Sequence, residues 1–121
     1  MITPTELLNL IDQWGRDRNI IGAGTSKDQF PKLISEMGEL ADGVAKGDKT
    51  MIKDGIGDVI VVLTMIAGIE ELSVAECLEH AYNEIKDRKG ILFDGVFIKS
   101  TDPRYADAVI EIDRRRGLIP E

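Results

Sequence analysis

The sequence predicts an all-α protein: a four-helix, bundle-like fold completed by oligomerisation, with a short C-terminal hairpin or extended tail and a last helix. Three observations carry this. Apolar residues recur at helical spacing in four successive segments. Two capping boxes, Thr3-Pro4-Thr5-Glu6 and Ser73-Val74-Ala75-Glu76, mark helix starts. The apolar faces that follow are wider than one 121-residue bundle can hide.

The first helix opens at the Thr3 box, with Pro4 at its first position, and continues through Leu7, Leu8, Ile11 and Trp14. A Gly-bearing loop at residues 20–26 ends it. The second helix begins between Ser26 and Phe30, because Pro31 is tolerated only within a first turn. Its apolar face runs from Phe30 through Leu33, Ile34, Met37, Leu40 and Val44, and Gly47 stops it. The third helix is capped by Asp48 and reaches about Ile69. Its Val/Ile run has strand propensity, but its length and lack of a turn signal decide for helix. Apolar residues all around its second half predict a central, buried helix. The Ser73 box opens the fourth helix, whose stripe is Val74, Cys77, Leu78, Ala81, Tyr82 and Ile85, with Gly90 as its end. Asp94-Gly95 between short apolar runs predicts a hairpin at residues 91–99. Asp102-Pro103 then caps a last helix to roughly Arg116. Residues 1–90 are expected to form the helical domain, with 91–121 a tail of the same domain.

Bulk properties exclude several classes. The net charge of -7, with no long basic face, argues against a nucleic-acid duplex as partner. A free nucleotide arriving with Mg²⁺ is compatible with an acidic surface. Cys77 is the single cysteine, so no internal disulfide can form, and its spacing reads as a small core residue. The longest apolar stretch, residues 59–69, is about half of what a bilayer span requires. The N-terminus lacks a basic start followed by an apolar run, so a cytoplasmic protein without membrane association is expected.

The chemistry is concentrated in residues 32–58. Glu36 with Glu39, and Asp54 with Asp58, are acidic pairs at helix spacing. Four carboxylates at the edge of a core repel one another unless protonated or gathered around cations. Such an all-oxygen set suits Mg²⁺. The bland alternative for the first pair is a solvated face with Lys32–Glu36 as an i,i+4 ion pair worth a few tenths of a kcal/mol. The second pair resists that explanation, since no Lys or Arg follows it on the helix. Gly55 and Gly57 permit close approach of another helix or a ligand there. On the fourth helix, Glu79, Asn83 and Lys86 share a stripe. A Lys beside an acidic cleft would neutralise phosphate, and an Asn could bond a sugar hydroxyl or base. Arg88 and Lys89 are explained adequately as cations at a helix C-terminus.

Three runs together then resemble one family. They are Lys32-Leu33-Ile34-Ser35-Glu36-Met37-Gly38-Glu39-Leu40-Ala41, Ile56-Gly57-Asp58-Val59-Ile60-Val61-Val62-Leu63, and Ala81-Tyr82-Asn83-Glu84-Ile85-Lys86-Asp87-Arg88-Lys89-Gly90. With Trp14, Asp17, Arg18 and Gln29 upstream and Asp94-Gly95-Val96-Phe97-Ile98-Lys99 downstream, residues 5–99 resemble MazG-like nucleotide pyrophosphohydrolases, most of all the short phage forms. The resemblance implies an all-α MazG-type fold, a homodimer or homotetramer, and Mg²⁺-dependent hydrolysis of a nucleoside triphosphate to monophosphate and pyrophosphate. Mn²⁺ would substitute for Mg²⁺. The cytoplasm would be bacterial, or that of the host of a phage.

The family's metal motif is two adjacent Glu, a third Glu three residues on, and a later Glu-x-x-Asp. Glu36, Glu39 and Asp58 match it. Ser35 stands at the first Glu and Gly55 at the later one, and Asp54, one turn before Asp58, is the candidate replacement. The metal set implied is therefore Glu36, Glu39, Asp58 and Asp54. Glu39, then Glu36, is the candidate for orienting or deprotonating the attacking water. Lys86, with Lys32 and Lys89 as weaker candidates, would hold the phosphates, and Asn83 and Trp14 the sugar and base. Two other readings stay open. One is an inactive acidic helical dimer that binds a protein partner or sequesters nucleotides, which Gly55 favours. The other is a dUTPase or dCTPase of the related all-α superfamily, against which the short chain argues.

Overall fold

The structure is a computed structural model and describes residues 1–120. It is mostly helical and divides into two compact units, Met1–His80 and the chain from Ala81 onward, the boundary falling within a helix.

The first unit opens with α1 (Pro4–Asp17), closed by the reciprocal capping box of Thr3 and Glu6. Residues 20–26 are not a plain loop. Asn19 takes a left-handed conformation (φ 62°) and starts the single-turn α2 (Ile20–Ala23). That turn drives Ile21 into the core, where a Cβ on Gly68 would stand 2.7 Å from its Cδ1. An apolar side chain that can be buried thus turns a glycine-bearing link into structure.

Next comes α3 (Ser26–Lys46), with Thr25 accepting from the Asp28 N–H. Pro31 lies inside this helix, beyond the first turn. The helix starts at Ser26, the early end of the expected range, because Thr25 caps it there; the expectation that Pro31 falls within the first turn is corrected. The proline is exposed, and the donor it lacks is the one that would have reached Lys27. Gly47 closes α3 in the left-handed region (φ 65°), and Asp48 at once caps α4 (Lys49–Ile69) by accepting from the Thr50 and Met51 N–H groups.

α3 and α4 are the principal packed pair. Gly43 approaches Met51 and Ile52, Gly55 approaches Leu40, and Asp58 approaches Glu36 and Glu39. Position falls on one helix as it rises on the other, so the pair is antiparallel. α1 and α2 cover the second half of α4, burying Val62, Thr64, Met65 and Ala67. α4 is not buried all round as its composition suggested: Ile56, Ile60 and Leu63 remain open on the side these helices do not cover.

α5 (Val74–Ile85) starts at the Ser73–Glu76 box as expected, yet buries none of its residues. It stops at Ile85. Gly90 does not end it but begins β1 (Gly90–Phe93), because the chain turns at Ile85, where the Arg88 N–H returns to the Ile85 carbonyl.

In the second unit β1 pairs antiparallel with β2 (Val96–Lys99), with Gly90 opposite Lys99 and Phe93 opposite Val96. Asp94 (φ 47°) and Gly95 (φ 80°) form the two-residue turn, both at positive φ as a type I′ turn demands. Ile98 is buried with Ala108 of α6 (Tyr105–Arg115), which covers that face of the hairpin. Asp102 accepts from the Arg104 N–H, and the helix proper begins after it, slightly later than Asp102-Pro103 alone implied.

Candidate metal centre

The site is assembled where α3 crosses α4. Glu36 and Glu39 are one turn apart on α3, and Asp58 comes from α4. One carboxylate oxygen of each lies within 4.8 Å of the others. Short sequence spacing brings the two glutamates together. The tight helix crossing brings the aspartate, since a Cβ on Gly55 would stand 2.9 Å from Leu40 Cα. Position 55, where the family motif has a Glu, is thus a helix contact in this chain. The identity of the residue is readable in the sequence, but the packing that occupies its side-chain space is not.

The environment of the trio is graded. The Glu36 side chain is only 14% exposed. Its Oε1 stands 3.7 Å from Lys32 Nζ, while Oε2 is buried and has no hydrogen-bond partner. A buried carboxylate oxygen without a donor is costly unless a cation meets it. Glu39 is exposed, and its carboxyl is pushed above the usual carboxylate range. The causes are hydrogen bonding to Glu36, the Glu36 charge, loss of hydration and the Asp58 charge; Lys32 offsets part of this. An orphaned oxygen, a carboxyl raised by its neighbours and an all-oxygen donor set together fit a hard divalent cation.

The other candidates are placed as follows. Asp54 is exposed and is not among the three converging carboxylates. Lys32 forms the i,i+4 pair with Glu36. Trp14, on α1, is 43% exposed, and the Arg18 guanidinium sits 4.5 Å over its ring. Sequence reading named both residues without anticipating this stack, although an aromatic and an Arg at i,i+4 were a visible signal. Asn83 on α5, and Lys86 and Lys89 just beyond it, are exposed and belong to the second unit. Lys86 retains a helical hydrogen bond to the Tyr82 carbonyl at 2.8 Å.

Among the described residues, no helix is long and apolar enough to cross a membrane. An uncharacterised 18.2 kDa protein from the rep–hol intergenic region of Haemophilus phage HP1 is 47% identical over 62 residues. That match spans 51% of this chain and 38% of the phage protein. No solved structure matches the chain. The family described as the MazG nucleotide pyrophosphohydrolase domain matches residues 25–93, which hold both helices of the acidic crossing and the hairpin's first strand. The chain belongs to the MazG nucleotide pyrophosphohydrolase family.

Proposed function

We propose that this protein hydrolyses a (deoxy)nucleoside triphosphate to the monophosphate and pyrophosphate, in control of nucleotide pools. The observation that carries this reading is the convergence of Glu36, Glu39 and Asp58 in a member of this family. Those three carboxylates would hold Mg²⁺, or Mn²⁺ in its place, with Asp54 adding negative charge one turn from Asp58. When bound, the cation draws charge from the triphosphate oxygens and acidifies water.

The remaining work falls to the chain's own side chains. Glu39 orients the attacking water and accepts its proton; the neighbouring Glu36 and Asp58 hold its carboxyl above the usual carboxylate range. Glu36 is fixed by Lys32 and positions Glu39 through their contact. The water oxygen bonds to the α-phosphorus, the α–β anhydride bond breaks, and pyrophosphate leaves. Lys86, with Lys32 and Lys89, stabilises charge on the phosphates. Asn83 and Trp14 serve sugar and base recognition, Trp14 through the stacking surface of its ring. The bare faces of α4 and α5 are covered by a second copy, giving a homodimer or a dimer of dimers, and this completes the four-helix bundle.

The deciding experiment incubates purified protein with each common and non-canonical triphosphate and Mg²⁺, then separates the products. Monophosphate with equimolar pyrophosphate supports the reading. Monophosphate with two orthophosphates, or diphosphate with one, refutes it.

A further inference from the structure

One cleft shares only Lys89 with this reading. It has a volume of about 570 Å³ and is built within the second unit, between the segment that follows α5 and the outer face of the hairpin. Phe97 and Lys99 are two apart on β2 and so point to the same face. Ile98 points the other way and is buried on the side covered by α6. Phe97 and Lys99 are therefore turned away from α6, and both line the cleft with Arg88 and Lys89.

The base of the cleft is firmly made. The Ser100 N–H donates to the Lys89 carbonyl at 2.9 Å, extending the ladder beyond the Gly90–Lys99 pair. The Phe97 ring lies across Gly90, where a Cβ would stand 2.6 Å from its Cε1. Only glycine leaves room for the ring there. With one side of the ring resting on backbone, Phe97 remains 49% exposed, a flat apolar surface among cations.

Charge complements shape. Arg88, Lys89 and Lys99 form no ion pair among the described residues, and Asp87 is the single carboxylate lining the cleft. By contrast, on the α6 side Arg104, Arg114 and Arg115 are paired with Asp102, Glu111 and Asp94. An unpaired cluster with a net charge of about two positive units, in a chain of net charge -7, is a local attractor for anions. The exposed ring adds a surface on which a nucleobase can stack. The cleft volume lies within the roughly 300–1,000 Å³ typical of small-molecule sites. An acidic chain disfavours a long polyanion. From this combination we infer that the outer face of the hairpin binds a free nucleotide, base on Phe97 and phosphates on Arg88, Lys89 and Lys99, without a divalent cation.

The inference uses none of Glu36, Glu39 or Asp58, and its variants leave Lys89 in place, so it can fail while hydrolysis stands, and the reverse. The test is calorimetric titration of the full chain in EDTA, where hydrolysis is suppressed. The probes are ATP, adenosine, inorganic tripolyphosphate and a short single-stranded oligodeoxythymidine. ATP is expected to saturate, and adenosine to bind far more weakly. The double variant Arg88→Gln/Lys99→Gln, at exposed positions, should weaken ATP by about tenfold or more, equivalent to roughly 1.4 kcal/mol. Phe97→Leu should weaken ATP but not tripolyphosphate, and Phe97→Tyr should retain ATP binding. Asp87→Asn should tighten it. Absence of ATP binding at millimolar concentration, or an unchanged affinity in the double variant, overturns the inference. Equal effects of Phe97→Leu on ATP and tripolyphosphate, with circular dichroism unchanged, also overturn it by reducing the cleft to a plain anion site. An oligonucleotide that binds tighter than ATP overturns it in favour of a nucleic-acid surface. Should Phe97→Leu fail to fold, the double variant and Phe97→Tyr still decide.

Discussion

Glu39 lies where three negative charges are brought together, and its chemistry follows from that crowding. A carboxyl raised above its unfolded value costs stability as it ionises: the contribution is present below the unfolded pKa and lost as pH rises through the folded one. Glu39→Gln removes this repulsion while keeping shape. In EDTA at pH 7 the variant should therefore melt at or above the wild-type temperature, and the gap should close as pH falls and Glu39 protonates. A variant that melts lower at pH 7 would mean that Glu39 is engaged in a stabilising contact. The same substitution should reduce turnover by roughly a hundredfold or more, the usual scale of a lost general base. Asp58 and Asp54 separate by geometry. Asp58 is in the trio and Asp54 is not, so Asp58→Asn should raise the Mg²⁺ concentration needed for half-maximal activity more than Asp54→Asn does. Equal shifts in the two titrations would assign Asp54 a place beside the cation that its position in the free chain does not reveal.

At the scale of elements, the α3–α4 crossing is the organising contact, and its glycines differ sharply. A Cβ at Gly55 meets Leu40 backbone at 2.9 Å, whereas a Cβ at Gly57 meets nothing within 4 Å. Gly57→Ala should stabilise the helix by about 0.5–1 kcal/mol through propensity alone. Gly55→Ala has the same propensity gain, but overpacking of roughly 1–3 kcal/mol opposes it. It should be destabilising by up to about 2 kcal/mol and should weaken Mg²⁺ activation, since separating the helices moves Asp58 from the glutamates. Urea unfolding of both variants checks the pair. If Gly55→Ala were the more stable, the crossing would be loose and the trio would need another explanation for its proximity. Restoring the family's Glu at position 55 meets the same obstacle, with a larger side chain.

For the whole molecule, the unsatisfied quantity is apolar surface. Ile56, Ile60 and Leu63 on α4, and Leu78, Tyr82 and Ile85 on α5, stand open in the single chain. An apolar stripe left open on a helix is the kind of surface that the proposed second copy would cover. Light scattering at micromolar concentration should return two or four times the 13.4 kDa chain mass. Leu78→Glu should shift that mass downward without loss of helix in α1, α3 and α4. A monodisperse 13.4 kDa species would remove the second copy from the proposal.

What the sequence determined by itself is whatever depends on near neighbours. The Thr3–Glu6 and Ser73–Glu76 boxes, the Asp48 cap, the Gly47 stop and the Asp94-Gly95 turn were all legible, because each is settled by groups within about four residues. The pairing of Glu36 with Glu39 belongs to the same class, being a matter of helix pitch. Pro31 lies beyond the first turn because a good cap at Thr25, six residues earlier, outweighs one absent hydrogen bond on an exposed face. Burial of Ile21 within a one-turn helix, the exposure of α5 and the occupation of Gly55's side-chain space by Leu40 were decided only by tertiary structure. The family motif names Asp58 beside Glu36 and Glu39, but helix spacing alone does not separate it from Asp54. Both aspartates satisfy the same local spacing. Which one meets α3 depends on the register in which two helices cross, and register is set by side chains distant in sequence that must fit together.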